Sequence, residues 1–445
     1  MKYEELKNKY STFIFDSFDI EDNTEYYKVT YNFEIVDLEK FNPTLTIYKK
    51  DIKNTNINKE FLNALILRIG MVELISYWKA AMPHNIIIKA GYLSGDELSW
   101  FKKLYYYGLG EFMYTNNINI DINDLMNITC EHEKTSIKVD YNGVGNLIPI
   151  GGGKDSCVSL NLLKDYYDIN DCFAINPKEA HLKCIEVSGY NDKYIKVNRT
   201  IDKRLIELNN KGFLNGHTPF SSLVSFITLL IAYLSNKKYI VLSNESSANE
   251  SNVKGTKINH QYSKTYEYEC DFNNYVNTYL NVDIHYFSLL RPLTELQIAM
   301  LFSRYKEYHQ VFKSCNVGSK GTTWNWCTSC PKCLFVYIIL SPFLSDEEMI
   351  NIFGENLYER EDLLNTFIEL TGNSTNKPFE CVGTYEEVNY AISRKIENTT
   401  NLPYLLRYYK DNYELIPKNN ILTSYNEENN LPEEFINIVR GAINE

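Results

Sequence analysis

Leu147-Ile148-Pro149-Ile150-Gly151-Gly152-Gly153-Lys154-Asp155-Ser156 decides the fold: a short apolar run opens into three glycines and passes straight into a helix start. Val158, Leu160 and Leu163 supply the apolar positions of that helix. Glycine reaches positive φ without steric penalty, so such a turn can bring backbone N–H groups close to an oxyanion. The helix N-terminus that follows favours negative charge. The run therefore reads as a nucleotide-handling turn. A Walker loop needs four residues between its first glycine and Gly-Lys-Ser/Thr, and the spacing here is wrong for it. A plain Gly-rich surface turn joining a strand to a helix is the alternative.

Downstream of the turn, strands at 147–150, 172–176, 194–197, 239–242 and 282–287 alternate with helices after the glycines, at 203–208 and at 219–234. That alternation predicts a parallel sheet built of βαβ units. Ligands of such sheets bind beyond the carboxyl ends of the strands, which nominates the glycine turn, Asn176 and Ser243-Asn244-Glu245 as neighbours in one crevice. Upstream, 27–35 alternates like a strand and 59–78 has the spacing of a buried helix, so residues 1–145 read as an α+β domain. Its aromatic cluster of Trp100, Phe101, Tyr105, Tyr106, Tyr107, Phe112 and Tyr114 suits core packing or a substrate wall. Residues 146–345 form the nucleotide domain in this reading. The region 346–445 is mostly helical in pattern, with helices at 347–353, 361–370 and 433–439 and an Asn-, Tyr- and Glu-rich stretch at 397–430 expected to be loosely ordered at its ends.

At 445 residues the chain is long enough for two or three cores. It carries 45 basic and 57 acidic residues, a net charge of −12, with no long block of either sign. A general nucleic-acid surface is thereby excluded, because phosphate repulsion must be countered by a basic face. The start, Met1-Lys2-Tyr3-Glu4-Glu5-Leu6-Lys7, lacks the apolar core of a signal peptide. The apolar stretch 223–234 falls short of the ~20 residues that span a bilayer, so a cytoplasmic protein with no membrane partner is expected.

Ten cysteines are too few for a disulfide scaffold, yet four of them crowd together as Cys315-x11-Cys327-Thr-Ser-Cys330-Pro-Lys-Cys333. Four thiolates at this spacing suit a closed tetrahedral Zn²⁺ site, structural because it leaves no open position. An iron–sulfur cluster or four reduced thiols are the alternatives. The polar run from Ser243 to Asn252 includes Glu245 and Glu250 and can bond a sugar, a metal-bound phosphate or a peptide. His260 and Lys264 lie four residues apart and are candidates for proton transfer. His217-Thr218-Pro219 reads as a helix entry whose imidazole is free to face the crevice. Arg291, just after the last strand, is shaped for a carboxylate or phosphate, or for a surface ion pair.

The stretch Gly151 to Ser156 resembles the Ser-Gly-Gly-x-Asp-Ser signature of the PP-loop ATP pyrophosphatase superfamily, with Gly151 in place of the serine. Together with Asn244 to Asn252, His260 to Lys264, Leu289 to Leu293 and the four cysteines, it is similar to the UDP-N-acetylmuramoyl-L-alanyl-L-glutamate epimerase family, MurL. The similarity extends to Ser76-Tyr77-Trp78-Lys79-Ala80, Gly108-Leu109-Gly110-Glu111-Phe112 and Lys377-Pro378-Phe379-Glu380-Cys381-Val382-Gly383. The cysteines and the Pro-Leu element also resemble 7-cyano-7-deazaguanine synthase.

The resemblance implies an α/β PP-loop (adenine nucleotide alpha hydrolase-like) parallel-sheet domain, with the α+β domain before it and the helical region after it. It implies use of ATP and Mg²⁺ to invert the terminal L-glutamate of a UDP-linked muramyl dipeptide through an acyl-adenylate, releasing AMP and pyrophosphate. On that reading Gly151, Gly152 and Gly153 cradle pyrophosphate, Ser156 adds a hydroxyl and Lys154 offsets phosphate charge. Asp155 caps the helix or helps hold Mg²⁺. Glu245, Glu250, His260 and Lys264 serve metal, substrate or proton transfer, with Asn176 and Arg291 at the nucleotide. Amide- or nitrile-forming adenylation of a small carboxylic acid, or non-catalytic ATP binding, are the competing readings.

Overall fold

The computed structural model describes residues 3–131, 139–250, 252, 259–260, 262–315, 317–318, 325–374 and 377–444. It divides into two compact units, each assembled from separate stretches of chain.

The first unit comprises residues 1–147, 195–240 and 257–286. Strand Thr12–Asp22 turns back into Tyr26–Ile35 as an antiparallel hairpin, with Asn23 Oδ1 accepting from the N–H of Glu25 and Tyr26 at 2.9 Å each. A side chain that bonds the backbone two and three residues on mimics a turn, which is why asparagine serves here. Alternation on the second strand buries Val29, Tyr31, Phe33 and Ile35 on one face. Asn85–Ile88 adds parallel to the first strand and Asn127–Cys130 parallel to that. On the other side Thr44–Tyr48 and then Tyr194–Thr200 add antiparallel, so this sheet is mixed. Tyr194–Thr200, which the sequence pattern grouped with the strands at 147 and 172, neighbours Asn170–Ile175 on one side and on the other runs antiparallel to Thr44–Tyr48.

Helix Lys59–Trp78 lies on this sheet, started by Asn58, whose side chain accepts from the N–H groups of Glu60 and Phe61. The helix is long and apolar enough to cross a membrane, but most of it is buried inside the protein. Gly70 permits its close approach, because a Cβ there would run into the rings of Phe15 and Tyr31. Helix Phe220–Ser235 packs beside it, with the rings of Phe61 and Tyr233 4.8 Å apart. Between helix Lys59–Trp78 and helix Gly95–Gly108 the buried Arg68 guanidinium pairs with Glu97, and Tyr275 bridges both at 2.9 and 2.8 Å. Burying a charge is costly unless it is paired and fully bonded, and this triad satisfies that requirement. Strands Asn146–Pro149 and Tyr239–Leu242 begin here as a parallel pair, Asn146 opposite Tyr239 and Leu147 opposite Ile240.

The second unit comprises 148–194, 241–256 and 287–445. It holds the carboxyl ends of those strands: Ile150 N–H donates to Phe173 C=O, and Leu289 N–H to Leu242 C=O, both at 2.8 Å. Asn170–Ile175 is buried almost throughout, as a strand covered on both faces must be. Helix Pro331–Leu340, buried at all but its first residue, forms the centre of a helical region. Around it lie Glu295–Arg304, Asp346–Phe353, Leu364–Leu370, Tyr385–Glu397, Tyr404–Asn412 and Glu433–Asn444. Within the stretch 397–430 the helix Tyr404–Asn412 buries Leu405, Leu406 and Tyr409.

Candidate active site

In the second unit the glycine turn leads into helix Lys154–Leu162, whose N-cap is Gly153 and which has no side-chain cap. The first N–H groups of a helix have no partner within it, so this end is built to receive acceptors. Gly152 has φ +72°, and a Cβ there would sit 3.0 Å from His181 N and 3.1 Å from the carbonyl carbon of Ala180. Gly153 is pressed by Ser314, and Gly152 C=O accepts from Lys313 N–H at 2.8 Å. Gly151 faces open space. The three glycines thus have different reasons: one for its dihedral, one for close approach and one exposed to any ligand.

Lys154 turns inward and is fully buried, its ammonium donating to both Asp155 and Glu295. These two carboxylates hold the ammonium charged against the penalty of burial. Burial pushes the Glu295 carboxyl up to about 8, with Asp155 and Glu245 adding to the rise and Lys154 opposing it. Glu387 Oε1 accepts from Glu295 N–H at 2.6 Å, while its other oxygen caps helix Tyr385–Glu397 by accepting from Thr384. Burial raises the Glu387 carboxyl as well. Asp155 keeps about a quarter of its side chain exposed beside the turn.

Ser156 donates its hydroxyl to Gly153 C=O at 3.0 Å and so braces the turn. Asn176 is exposed at the end of its strand, in the left-handed conformation at φ 45°. Ser243 bonds Ser159 on the helix after the glycine turn, hydroxyl to hydroxyl at 2.7 Å. Arg291 is fully buried: it donates to Glu245 C=O at 2.8 Å and so fixes the loop that follows strand Tyr239–Leu242. Glu250 pairs with the buried Lys377. Among the expected residues, the unit thus brings together the turn, the loop at 243–245 and Arg291.

The four cysteines converge. Their sulfur atoms all lie within 4.8 Å of one another, with Cys315–Cys330 at 4.0 Å, Cys327–Cys333 at 3.7 Å and Cys330–Cys333 at 3.5 Å. Zinc–thiolate bonds of ~2.3 Å in a tetrahedron set sulfur atoms about 3.8 Å apart, so the donor set fits Zn²⁺. Cys315 follows directly on the Lys313-Ser314 segment that covers Gly152 and Gly153. Lys332, inside the cysteine knuckle, donates to Cys381 C=O and ties it to the segment at 377–383.

His260 and Lys264 belong to the first unit. There Glu111 receives a hydrogen bond from His260 Nδ1, and His217 Nδ1 stands 3.6 Å from the same carboxylate oxygen. Burial and the neighbouring His260 push the His217 imidazole down to about 4. Lys79, donating to Gly216 C=O, is pushed down to about 8 by burial and by Arg199. Of the aromatic cluster, Phe101, Tyr105 and Phe112 are core, and the partly exposed Trp100 packs on Phe101, Phe226 and Tyr275. Tyr106, Tyr107 and Tyr114 line an open cleft of about 780 Å³ with Gly110 and Met113.

Glu295 and Glu387 were not anticipated. Each lies in a capping box, Thr294-x-x-Gln297 and Thr384-x-x-Glu387, a spacing that marks a helix start in sequence but says nothing of a site.

Residues 4–289 match the MurL N-terminal domain and residues 311–406 the MurL C-terminal domain. The chain belongs to the MurL family. Relatives named UDP-N-acetyl-alpha-D-muramoyl-L-alanyl-L-glutamate epimerase align with it from three organisms. The Xanthomonas oryzae pv. oryzae protein is 33% identical over 331 residues, 73% of each chain. That of Micromonospora sp. is 34% identical over 336 residues, 75% of this chain and 74% of the relative. The Salinispora tropica protein is 34% identical over 337 residues, 75% and 73%. Both matched MurL domains contain site residues: the glycine turn and the Glu111–His260 pair in the N-terminal one, the four cysteines and Glu387 in the C-terminal one.

Proposed function

We propose that this MurL-family chain is an ATP-dependent epimerase that inverts the terminal L-glutamate of UDP-N-acetylmuramoyl-L-alanyl-L-glutamate, a peptidoglycan precursor, by way of an acyl-adenylate. The names of its relatives support the substrate and the reaction class. The observation that carries the ATP step is the glycine turn opening into a helix start without a side-chain cap, above the Lys154–Asp155–Glu295 cluster. We assign the second unit to the PP-loop fold on the same ground, and the protein to the cytoplasm, where a nucleotide-linked precursor and ATP are available together.

The chemistry explains why a nucleotide belongs in an epimerase. Removing the α-proton of a free carboxylate builds a second negative charge beside the first. A positioned general base contributes roughly 10²–10⁴ in rate, about 3–5 kcal/mol, which is too little alone. Attack of the carboxylate on the α-phosphorus of ATP expels pyrophosphate and leaves a mixed anhydride with AMP, which cancels the carboxylate charge, and the deprotonated product becomes a delocalised enolate that positioned donors can hold. Return of a proton to the opposite face and hydrolysis of the adenylate give the epimer.

In this reading the N–H groups of the turn and of the helix start hold the departing pyrophosphate. Lys154 offsets part of the negative charge beneath the turn, and Arg291 holds the 243–245 loop in place. Asp155, the partly exposed carboxylate at the turn, would hold Mg²⁺, which when bound neutralises phosphate charge. The four cysteines would hold a structural Zn²⁺ that anchors the 313–315 segment over the glycines.

The test is incubation with ATP and the muramyl dipeptide precursor in heavy water, without ammonia. AMP, pyrophosphate and deuterium at glutamate Cα are expected together. Turnover that requires a nitrogen donor and leaves Cα unlabelled would reject the assignment, as would full-speed inversion without a triphosphate.

A further inference from the structure

We propose that Glu111, His217 and His260 form a second metal site, in the first unit, for a divalent first-row transition ion of the zinc class. This inference stands apart from the epimerase reading. One ligand atom from each residue lies within 4.8 Å of the other two. Three distant parts of the sequence supply them: the short helix Gly110–Thr115, the loop before helix Phe220–Ser235 and the segment before Tyr262–Lys264.

The geometry separates an ion site from a plain carboxylate–histidine dyad. In a dyad one imidazole N–H meets one carboxylate oxygen, and His260 already makes that bond to Glu111 Oε2. His217 aims its own Nδ1 at the same oxygen from 3.6 Å, past hydrogen-bonding range, while the two rings stand 4.3 Å apart. Ligand bonds of ~2.0–2.1 Å in a tetrahedron place neighbouring N and O atoms about 3.3 Å apart. The His217–Glu111 spacing is close to that value, and a small outward movement of His260 completes the set. Two imidazoles and one carboxylate are a donor set that zinc accepts with a position left open.

The ligands are braced by a surrounding layer, as metal-binding side chains need to be. Lys79 donates to Gly216 C=O, next to His217. Asn116 donates to Asn215 C=O at 3.1 Å and to Phe112 C=O at 2.8 Å, joining the loop of His217 to the helix of Glu111. Gly216, at φ +152°, lets the two elements close up, since a Cβ there would stand 3.2 Å from the Phe112 ring. One carboxylate leaves a divalent ion with excess positive charge, and Lys79 and Lys264 both act electrostatically on His217. The open position would therefore take an anionic oxygen, a carboxylate or hydroxide in chemical class.

Metal analysis of the purified full-length protein tests this without any activity measurement. A zinc equivalent beyond that of the four cysteines is expected, lost in His217→Ala and in Glu111→Gln with binding more than about 100-fold weaker. Cobalt titration distinguishes the two sites, because thiolate ligation gives charge-transfer absorption that nitrogen and oxygen ligands lack. Both variants should keep the thiolate band, which also reports that the protein is folded, and lose the second class of cobalt. If His217→Ala fails to fold, Glu111→Gln decides. Cobalt spectra showing thiolate sites alone in the wild type, or a metal content unchanged in Glu111→Gln, would overturn the proposal.

Discussion

Replacing Gly152 by alanine tests whether the glycine turn is held as described. The residue sits at φ +72°, where an L side chain costs roughly 1–2 kcal/mol. Its new Cβ would meet His181 N at 3.0 Å and the carbonyl carbon of Ala180 at 3.1 Å. Both are backbone atoms at the start of helix Glu179–Val187, so neither can rotate aside, and such crowding costs typically ~1–3 kcal/mol more. The sum is about 2–5 kcal/mol, and at ~2–4 °C per kcal/mol for a unit of this size the melting transition should fall by roughly 4–20 °C. Gly151→Ala is the internal control. No atom lies within 4 Å of its Cβ position and its φ is not positive, so stability should change by less than about 0.5 kcal/mol. Calorimetry of the three proteins side by side, with pyrophosphate release measured on each, makes the comparison. Equal melting temperatures for Gly152→Ala and wild type would refute the account of the turn. A Gly151→Ala protein as unstable as Gly152→Ala would refute the division of labour among the glycines.

Asp155→Asn removes one of the two carboxylates that pair the buried Lys154 ammonium, so stability from urea unfolding should fall by about 1–3 kcal/mol while ATP cleavage falls by roughly 100-fold or more. Glu295 has its carboxyl raised above the unfolded value to about 8, so its contribution to stability is present below pH 4.5 and lost as pH rises through 8. Relative to Glu295→Gln, the wild type should therefore weaken between pH 5 and 9, and parallel urea midpoints across that range would contradict it. Cys333→Ser removes one donor of a closed four-thiolate set and should release its zinc and lower the melting temperature, read by metal content and calorimetry together.

The parts of this protein visible in its sequence are those whose signal is local. The helix Lys59–Trp78 matches its reading end to end because its apolar positions and an asparagine cap both mark it. Strand Tyr239–Leu242 is equally plain, bounded by lysines and by the polar run after it. The first strand escaped because Asp16, Ser17 and Asp19 interrupt its alternation, and the ladder slips between Phe15 and Ser17. Helix Pro331–Leu340 was missed because a segment apolar on every side has no period to detect. The site divides in the same way. The glycine turn and the four cysteines are spacings along the chain, whereas Glu295 reaches Lys154 across 141 residues and Glu111 reaches His260 across 149. No pattern within a window carries those pairings.

The charge arrangement under the glycine turn limits how a polyphosphate can be accommodated there. Lys154 is turned away from the turn's open face and already shared between Asp155 and Glu295, so it cannot serve as a free cation for an incoming phosphate. Glu245, Glu295 and Glu387 are all buried within the same unit, and Asp155 and Glu245 both add to the rise of the Glu295 carboxyl. An anion brought to this place gains from the helix N–H groups and is opposed by that acid-rich floor. Two features lower the opposition: the Glu295 carboxyl is displaced toward its neutral form, and Asp155 is partly exposed, where it would hold a divalent ion that offsets phosphate charge. At pH 9, where the Glu295 carboxyl is ionised, replacing it by glutamine should then tighten nucleotide binding in the absence of Mg²⁺ and change it little at saturating Mg²⁺. Isothermal titration of ATP with and without the ion decides the point, and weaker metal-free binding in Glu295→Gln would show that Glu295 acts by holding Lys154 rather than through its charge.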